Sequence, residues 1–197
     1  NIDLVQMEIP DLNGILRGKF VAAKKVAGGS KSAVCTVMYQ FTPVDDVWVS
    51  QHSSYDNGFP DVLGVPDLTT AVELPWRQGT AAVIYDVKYP DGSPFPLSPR
   101  NVLRRVAGRF APTGYTPMFG VEMEAFVFHA DRSLIGAGRY QDLAAVGRLH
   151  HAYRLTEAEE ARDLGTEFIR RMRSIGITVE VFHTELGPGA IEFALAP

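Results

Sequence analysis

The sequence predicts an α+β protein in which groups of short strands alternate with a few helices. Strand patterns, either alternating or uniformly apolar, recur along the chain; they cover residues 1–9, 15–21, 69–74, 80–87, 118–129, 177–183 and 190–195. Helical patterns begin at two capped positions. Ser98 precedes Pro99, which suits an N-cap and the first helical turn. Thr156 and Glu159 form a capping box ahead of an amphipathic stripe that ends near Gly176.

The chain divides at a stretch rich in proline and turn residues, Pro90 to Pro99. Such stretches commonly connect domains, so we expect one domain over residues 1–95 and a second over residues 98–197. Within the first, Asp11-Leu-Asn-Gly14 predicts a hairpin turn because Asn-Gly supplies the positive φ of tight turns. Residues 42–68 mix prolines, glycines and polar residues and are interpreted as a long loop, which is usually functional or mobile.

The composition is that of an ordinary soluble globular protein, with 46% hydrophobic and 21% charged residues among 197. A net charge near −4 gives no electrostatic attraction for nucleic acid or an anionic membrane, and no apolar run could span a bilayer. Cys35 is the single cysteine, which favours a reducing compartment such as the cytoplasm. Because the chain starts at Asn1 and stops abruptly at Pro197 after an apolar run, we expect a piece of a longer protein.

Two carboxylates lie on the predicted strand over residues 118–129, within the run from Phe119 to Phe128. Glu122 and Glu124 are two residues apart in an otherwise apolar run, and side chains two apart on a strand project from the same face. Adjacent like charges in a semi-buried place are unfavourable unless something neutralises them. A divalent cation does this best, so the pair predicts a metal site.

A second acidic pair flanks a turn. Glu185 and Glu192 enclose Gly187-Pro188-Gly189, a sequence typical of a turn between two strand ends. With Glu122 and Glu124 they make an all-oxygen set suited to Mg²⁺ or Mn²⁺. The competing interpretation, in which each pair is the solvated face of a half-exposed sheet, stays open at this point. The adjacent histidines at 150 and 151 lack converging partners and are not interpreted as a metal site.

The same segments resemble motifs of the glutamine synthetase superfamily. Gly120 to Phe128 is similar to the Gly-x-Glu-x-Glu-Phe motif of that family, and His183 to Glu192 is similar to its second metal-binding motif. Further segments match in the same order; they are Asp11 to Lys19, Pro66 to Thr70, Leu74 to Trp76 and Ser98 to Leu103. The chain is therefore identified as a member of this superfamily. Several features suggest the branch that joins glutamate to amines.

The resemblance implies a fold and an activity. A small β-grasp-like domain would precede the first part of an antiparallel catalytic sheet, and family members assemble as homo-oligomeric rings with active sites between subunits. The family phosphorylates the γ-carboxylate of glutamate with ATP, using Mg²⁺ or Mn²⁺, and ammonia or an amine then displaces phosphate from the γ-glutamyl phosphate. The resemblance also favours a short buried helix over residues 33–41, although Val34, Thr36 and Val37 suit a strand as well.

Site residues follow from the matching motif positions. By resemblance, Glu124, Glu185 and Glu192 would ligate the ion nearer the glutamate substrate. Glu122 would hold the ion that bridges the ATP phosphates. Glu180, five residues before Glu185, falls where the family has a nucleotide contact.

A catalytic role is expected for Asp56, in the loop that closes over a neighbouring subunit's site in the family. A carboxylate there would favour an incoming ammonium and could take its proton. The competing interpretation is that Asp56-Asn57-Gly58 is an ordinary turn.

Two features depart from the family pattern. Ala190 occupies the place of the usual Gln, so any hydrogen bond from that amide is missing or replaced. The family's downstream His, Glu and arginines do not occur in these residues, and we expect the 197 residues alone to be inactive or nearly so. Two alternatives to a ligase stay open: a non-catalytic superfamily member acting as a structural or regulatory subunit, and an unrelated β-rich binding module.

Overall fold

The computed structural model describes residues 1–147 and 151–197, so His150 of the paired histidines lies outside the described residues. The chain forms two compact units, Asn1–Pro117 and Met118–Pro197. Each unit has its own sheet and its own hydrophobic core. Within the described residues, no helix is both long and apolar enough to cross a membrane. The α+β class predicted from the sequence is confirmed.

The first unit is built on a six-stranded sheet. Its strands are β1 Leu4–Pro10, β2 Leu16–Ala22, β3 Ser32–Cys35, β4 Asp61–Pro66, β5 Val72–Glu73 and β6 Thr80–Lys88. The order is β2-β1-β6-β4-β3, and β5 pairs with β6. β1 and β6 run parallel at the centre, and the other pairs are antiparallel. A short helix, α1 (Ala23–Ala27), follows the hairpin of β1 and β2.

Alternation along β1 and β6 builds the core of the first unit. Met7 and Ile9 on β1, with Val83, Tyr85 and Val87 on β6, are at most 2% exposed. Because successive side chains on a strand point to opposite faces, these residues turn one face of the sheet inward. The period of two seen in the sequence therefore determines which face of the sheet is buried.

Helix α2, Pro99–Ala107, lies within the first compact unit. The Arg100 guanidinium forms ion pairs of 2.7 Å with Asp67 and 2.6 Å with Asp86. These bonds join the helix to the sheet, because Asp86 lies on β6 and Asp67 follows β4 directly. The first compact unit ends at Pro117. The domain boundary expected at the proline-rich stretch, with domains over residues 1–95 and 98–197, stays a prediction.

The second unit contains a three-stranded antiparallel sheet. Its strands are β7 Val121–Phe126, β8 Val179–Thr184 and β9 Ala190–Leu195, in the order β7-β9-β8. Three α-helices occur among the described residues between β7 and β8; they are α3 Arg132–Gly136, α4 Leu155–Glu160 and α5 Arg162–Ser174. Phe193 of β9 packs in the core against Phe168 of α5 and Phe182 of β8, with ring centroids 4.1 and 5.0 Å apart.

The structure corrects two predictions in the first unit. Residues 33–41 do not form one buried helix; β3 ends at Cys35 and a 3₁₀ turn follows over Thr36–Tyr39. Strand β4 lies inside the predicted loop over residues 42–68, because Val62 packs into the core, where it is 1% exposed.

Two element boundaries also differ from the sequence prediction. The predicted strand over residues 69–74 is reduced to the two residues of β5, preceded by a 3₁₀ turn. Thr156 is not an N-cap, because α4 starts at Leu155 with Arg154 in the N-cap position. Glu159 therefore does not reach back to the helix start, and its carboxylate accepts a 2.8 Å hydrogen bond from Arg162.

Candidate metal centre

Three polar side chains form a row across the sheet of the second unit. In the register, Glu124 of β7 lies opposite Glu192 of β9, and Glu192 lies opposite His183 of β8. Directly opposed residues of antiparallel strands project from the same face. The next row, with Phe193 at its centre, projects from the other face into the hydrophobic core. The sheet therefore separates a polar face from the face that packs on the helices.

Glu185 joins this row from just beyond the end of β8. Its Oε1 lies 3.5 Å from His183 Nδ1, and Glu192 Oε1 lies 3.6 Å from His183 Nε2. One ligand atom from each of these three residues lies within 4.8 Å of the others. The structure thus gathers Glu185 and Glu192 with a histidine, and Glu124 faces Glu192 across the strand pair.

The turn between β8 and β9 brings Glu185 and Glu192 to the same end of the sheet. Gly187 and Gly189 have φ values of 129° and 75°, a region that glycine enters without steric penalty. A Cβ on Gly189 would also lie 2.5 Å from the carbonyl oxygen of Val127. The Gly-Pro-Gly sequence therefore permits the tight return that sets the two carboxylates beside each other.

A small cavity of about 210 Å³ lies beside the row; it is lined by Glu124, Ala125, Phe126, Glu185, Leu186, Ala190 and Ile191. Ala190 is 5% exposed and starts strand β9. Its methyl group contributes no hydrogen bond to the two carboxylates that share the cavity wall. The departure from the usual Gln therefore lies next to the acidic residues, and not at a remote position.

Tyr153 also lies against the row. Its ring centroid is 4.5 Å from that of His183, with the planes tilted by 31°. The negative charge of Glu185, and then its hydrogen bond with the phenol, raise the pKa of Tyr153; the charges of Glu192 and Glu122 add to the effect. Its φ of 59° is uncommon for a residue other than glycine. The backbone thus adopts an unfavourable conformation where it directs this ring over the imidazole.

Two predicted site residues, Glu122 and Glu180, lie on the same sheet but outside the row of Glu124, Glu192 and His183. Glu122 projects from the same face as Glu124 and is exposed, opposite Ala194 in the register. Glu180 is exposed and lies at the irregularity of β8 between Val179 and Val181. Five residues of strand separate it from Glu185, or about 16 Å at ~3.3 Å per residue. The structure does not bring Glu180 into the row.

Asp56 belongs to the first unit, where it is exposed in a turn. The neighbouring Asn57 shapes this turn, because its Oδ1 accepts hydrogen bonds from the Ser54 and Phe59 N–H groups at 2.8 and 3.3 Å. These hydrogen bonds are typical of a turn and account for the backbone conformation around Asp56. The catalytic role of Asp56 stays a prediction.

The gathered donors fit a divalent cation. Carboxylate oxygens suit Mg²⁺ and Mn²⁺, and an imidazole nitrogen is a common ligand of transition metals. His183 stands in the motif that the sequence identified, yet it was not predicted as part of the ligand set. The signal was present, because His183 and Glu185 are two residues apart at the end of a strand and so share a face.

Comparison with known proteins identifies the family. Residues 96–197, just over half of the chain, match the family model of the glutamine synthetase catalytic domain. The chain belongs to the glutamine synthetase family. The family prediction made from the motifs is confirmed, and the match starts near the proline-rich stretch where the sequence predicted a boundary.

Several curated members of the glutamine synthetase family are similar to the chain. It is 29% identical over 196 residues to glutamate–isopropylamine ligase of a Pseudomonas species and 30% identical over 198 residues to gamma-glutamylethanolamide synthetase of Streptomyces coelicolor. Each alignment covers 98% of this chain and 43% of the relative. Glutamine synthetase of Thermotoga maritima is 27% identical, over 98% of this chain and 41% of its own length. The chain thus spans less than half the length of these relatives.

Solved structures with a similar fold align with nearly the whole chain. Apo GmaS aligns with a TM-score of 0.71 at 21% identity, covering 99% of this chain and 42% of that one. A glutamine synthase homologue aligns with a TM-score of 0.67 at 19% identity, covering 98% and 43%. At these sequence identities the comparison shows only that the fold is shared.

Proposed function

We propose that the chain is part of an ATP-dependent ligase that joins the γ-carboxylate of glutamate to ammonia or an amine through a γ-glutamyl phosphate. Family membership supports the reaction class. The similarity to enzymes named for isopropylamine and ethanolamide products supports an amine as the nucleophile. The observation that carries the proposal is the convergence of Glu185 and Glu192, with Glu124 in register, on one face of the sheet.

The proposed chemistry depends on neutralising negative charge. A carboxylate acylates amines poorly, so one of its oxygens must become a leaving group before the amine attacks. A bound Mg²⁺ or Mn²⁺ would supply the positive charge that a transferring phosphoryl group requires. Glu124, Glu185 and Glu192 would hold one ion beside the glutamate, and Glu122 would contribute to a second ion beside ATP.

Tyr153 would keep Glu185 oriented within this site. The carboxylate raises the pKa of the Tyr153 phenol, which therefore stays protonated at neutral pH and can donate its hydrogen bond to Glu185. Stacking on His183 holds the ring in place. The two contacts together restrict the side-chain rotamers of Glu185.

Other parts of the proposal rest on motif spacing. Glu180 would contact the nucleotide, and Asp56 would bind the amine and accept its proton. The first unit would be a β-grasp-like domain, which its central parallel strand pair flanked by a hairpin supports. The intact protein would form a homo-oligomeric ring in the cytoplasm.

Metal titration tests the proposal directly. We expect calorimetry of the full chain to show saturable Mn²⁺ or Mg²⁺ binding that disappears in the triple variant Glu124→Gln, Glu185→Gln, Glu192→Gln. Glu160→Gln, an exposed carboxylate on α4, is the matched control and should bind as the parent does. If the triple variant retains the affinity of the parent, the ligand assignment is wrong.

A non-catalytic member of the family is the second candidate. Ala190 favours it, because a methyl group lines the cavity where the family motif has an amide. A structural or regulatory subunit has no need of the ion, so the absence of Mg²⁺ and Mn²⁺ binding at millimolar concentration would favour this candidate. If the chain is such a subunit, Ala190→Gln should leave metal binding absent. If the chain is part of a ligase, the same substitution should strengthen metal binding.

A further inference from the structure

We propose that a cavity between β6 and α2 of the first unit binds a small organic dianion through the Lys88 ammonium and the Arg105 guanidinium. The cavity has a volume of about 550 Å³. Its wall contains three cationic residues, Lys88, Arg104 and Arg105, and no carboxylate among the residues that the structure describes. All of these residues belong to the first unit, whereas the candidate metal centre is built from residues of the second.

Opposite charges meet directly beside this cavity. Asp86 of β6 forms ion pairs with Arg100, at 2.6 Å, and with Arg104. Asp67 pairs with the same two guanidiniums at 2.7 and 3.0 Å. Two carboxylates therefore balance two guanidiniums in this cluster. Lys88 lies two residues after Asp86 on β6 and projects from the same face, so α2 meets a carboxylate at one position of the strand and an ammonium at the next.

Lys88 and Arg105 have no comparable partners. Across residues 1–147 and 151–197, neither side chain takes part in an ion pair or a hydrogen bond. A concave surface lined by charges of one sign focuses the field and raises the local concentration of counterions. The chain as a whole carries a net charge of −4, so this positive charge does not follow from a basic composition. An anion in the cavity would relieve the repulsion between the two cations.

Hydrogen bonds and packing hold the cavity in shape. Asn101 Nδ2 donates to the carbonyl oxygens of Val87 and Phe95, at 2.7 and 3.0 Å, and so fixes α2 against the end of β6 and the turn that follows. Phe95 is fully buried, and its ring centroid lies 5.3 Å from those of Tyr39 and Tyr89. The site is therefore formed before a ligand arrives, which reduces the ordering cost of binding.

The side chains of the cavity define the class of ligand. A guanidinium presents a planar fork that matches two oxygens of a phosphate or a carboxylate, and an ammonium adds a point charge. Two uncompensated positive charges match a ligand with a charge near −2, such as a phosphate monoester or a short dicarboxylate. Pro94 and Pro96 supply apolar wall for a carbon skeleton, and the volume lies within the range of about 300–1,000 Å³ that is usual for small-molecule sites.

Two-dimensional ¹H–¹⁵N NMR of the full chain tests the site in buffer that contains neither divalent metal nor ATP. We expect saturable shift changes of the Lys88, Asn101 and Arg105 amides on addition of inorganic phosphate or succinate. Sodium chloride at equal ionic strength should produce no saturable change. The phosphate arm represents a phosphate-bearing ligand, and the succinate arm represents a dicarboxylate.

The double variant Lys88→Gln, Arg105→Gln should lower the affinity for these anions by about tenfold or more, because it removes the charge-assisted hydrogen bonds to the ligand. Arg104 is retained, so the ion pairs that join α2 to the sheet stay intact. Lys25→Gln with Arg132→Gln is the matched control, because it removes the same two kinds of charge at exposed positions elsewhere in the chain. The control should bind as the parent does.

Each outcome supports or overturns the inference. A saturable response to phosphate alone assigns a phosphate-bearing ligand, a response to succinate alone assigns a dicarboxylate, and a response to both assigns a general oxyanion site. Shifts that do not saturate, that are confined to the second unit, or that keep the parent affinity in a folded double variant would overturn the inference. The amides that shift in the parent locate the site even if the double variant does not fold. Since neither metal nor ATP is present, a negative result leaves the proposed ligase function standing.

Discussion

Glu124 lies directly opposite Glu192 in the register of β7 and β9, so two carboxylates face each other across the strand pair. Like charges in this position destabilise a sheet by roughly 0.2–1 kcal/mol. We therefore expect Glu124→Gln to raise the urea midpoint of the metal-free chain slightly. The same substitution should reduce the stabilisation that Mn²⁺ provides, because a ligand or a neighbouring negative charge is lost.

The comparison requires urea unfolding with and without Mn²⁺ for the parent and for Glu124→Gln. Glu160→Gln serves again as the control for a simple loss of one negative charge. A decrease in metal-free stability in Glu124→Gln would contradict the expected repulsion between the paired carboxylates.

Tyr153 should titrate above the ordinary tyrosine range because of the nearby carboxylates. A negative charge disfavours the phenolate, and Glu185 is the main cause of the raised pKa. We expect the Tyr153 pKa to fall in Glu185→Gln and to fall less in Glu192→Gln. Absorbance at about 295 nm, taken as the difference from the matching Tyr153→Phe variant, isolates this one phenol among the tyrosines. A larger effect from Glu192→Gln would reverse the assigned order of causes.

The ionisation of Asp67 links the stability of the folded chain at low pH to the ion pairs of α2. A hydrogen bond from Thr69, and then one from Arg100, lower the pKa of Asp67 to about 2. In the unfolded chain the group should titrate near 3.9, so its contribution is complete above about pH 4 and is lost as the pH falls through about 2. Asp67→Asn should therefore flatten the dependence of the unfolding free energy on pH between about 4 and 2.

Urea titrations at several pH values measure that dependence. Asp56→Asn, at an exposed turn position, provides the matched control for removal of a carboxylate. An unchanged slope in Asp67→Asn would show that the Thr69 and Arg100 contacts do not contribute in solution.

Gly165 lets helix α5 approach strand β8 closely. A Cβ at this position would lie 2.7 Å from the Phe182 ring. Alanine is favoured over glycine in a helix by about 1 kcal/mol, but overpacking typically costs about 1–3 kcal/mol. We expect Gly165→Ala to be neutral to clearly destabilising in urea unfolding. Gly136→Ala in α3, where no atom lies within 4 Å of the added methyl, should be neutral or stabilising; equal gains at both sites would contradict the packing argument.

Much of the second unit could be predicted from local sequence. The predicted strand over residues 190–195 coincides with β9, since short apolar runs bounded by a Gly-Pro-Gly turn leave few alternatives. The capping box predicted at Thr156, in contrast, does not form. Helix α4 packs on β8, with Glu157 only 4% exposed, and this packing takes precedence over the weak preference of a cap.

In the first unit, too, contacts between distant segments decide an element that the local sequence does not indicate. Strand β4 was predicted to be loop because Gly64 and its flanking prolines are poor strand formers. The strand forms because Val62 is buried and both neighbours, β3 and β6, supply backbone partners. Such partners are remote in sequence and leave no local signal.

By itself the sequence determined which carboxylates share a face of their own strand, because that depends only on the two-residue period of an extended backbone. It also identified the family through ordered motifs. Only the tertiary structure decided that Glu192 faces Glu124 on one side and His183 on the other. The register of β7 against β9 arises from pairing between segments more than 50 residues apart, and the position of Glu124 beside Glu192 depends on that register.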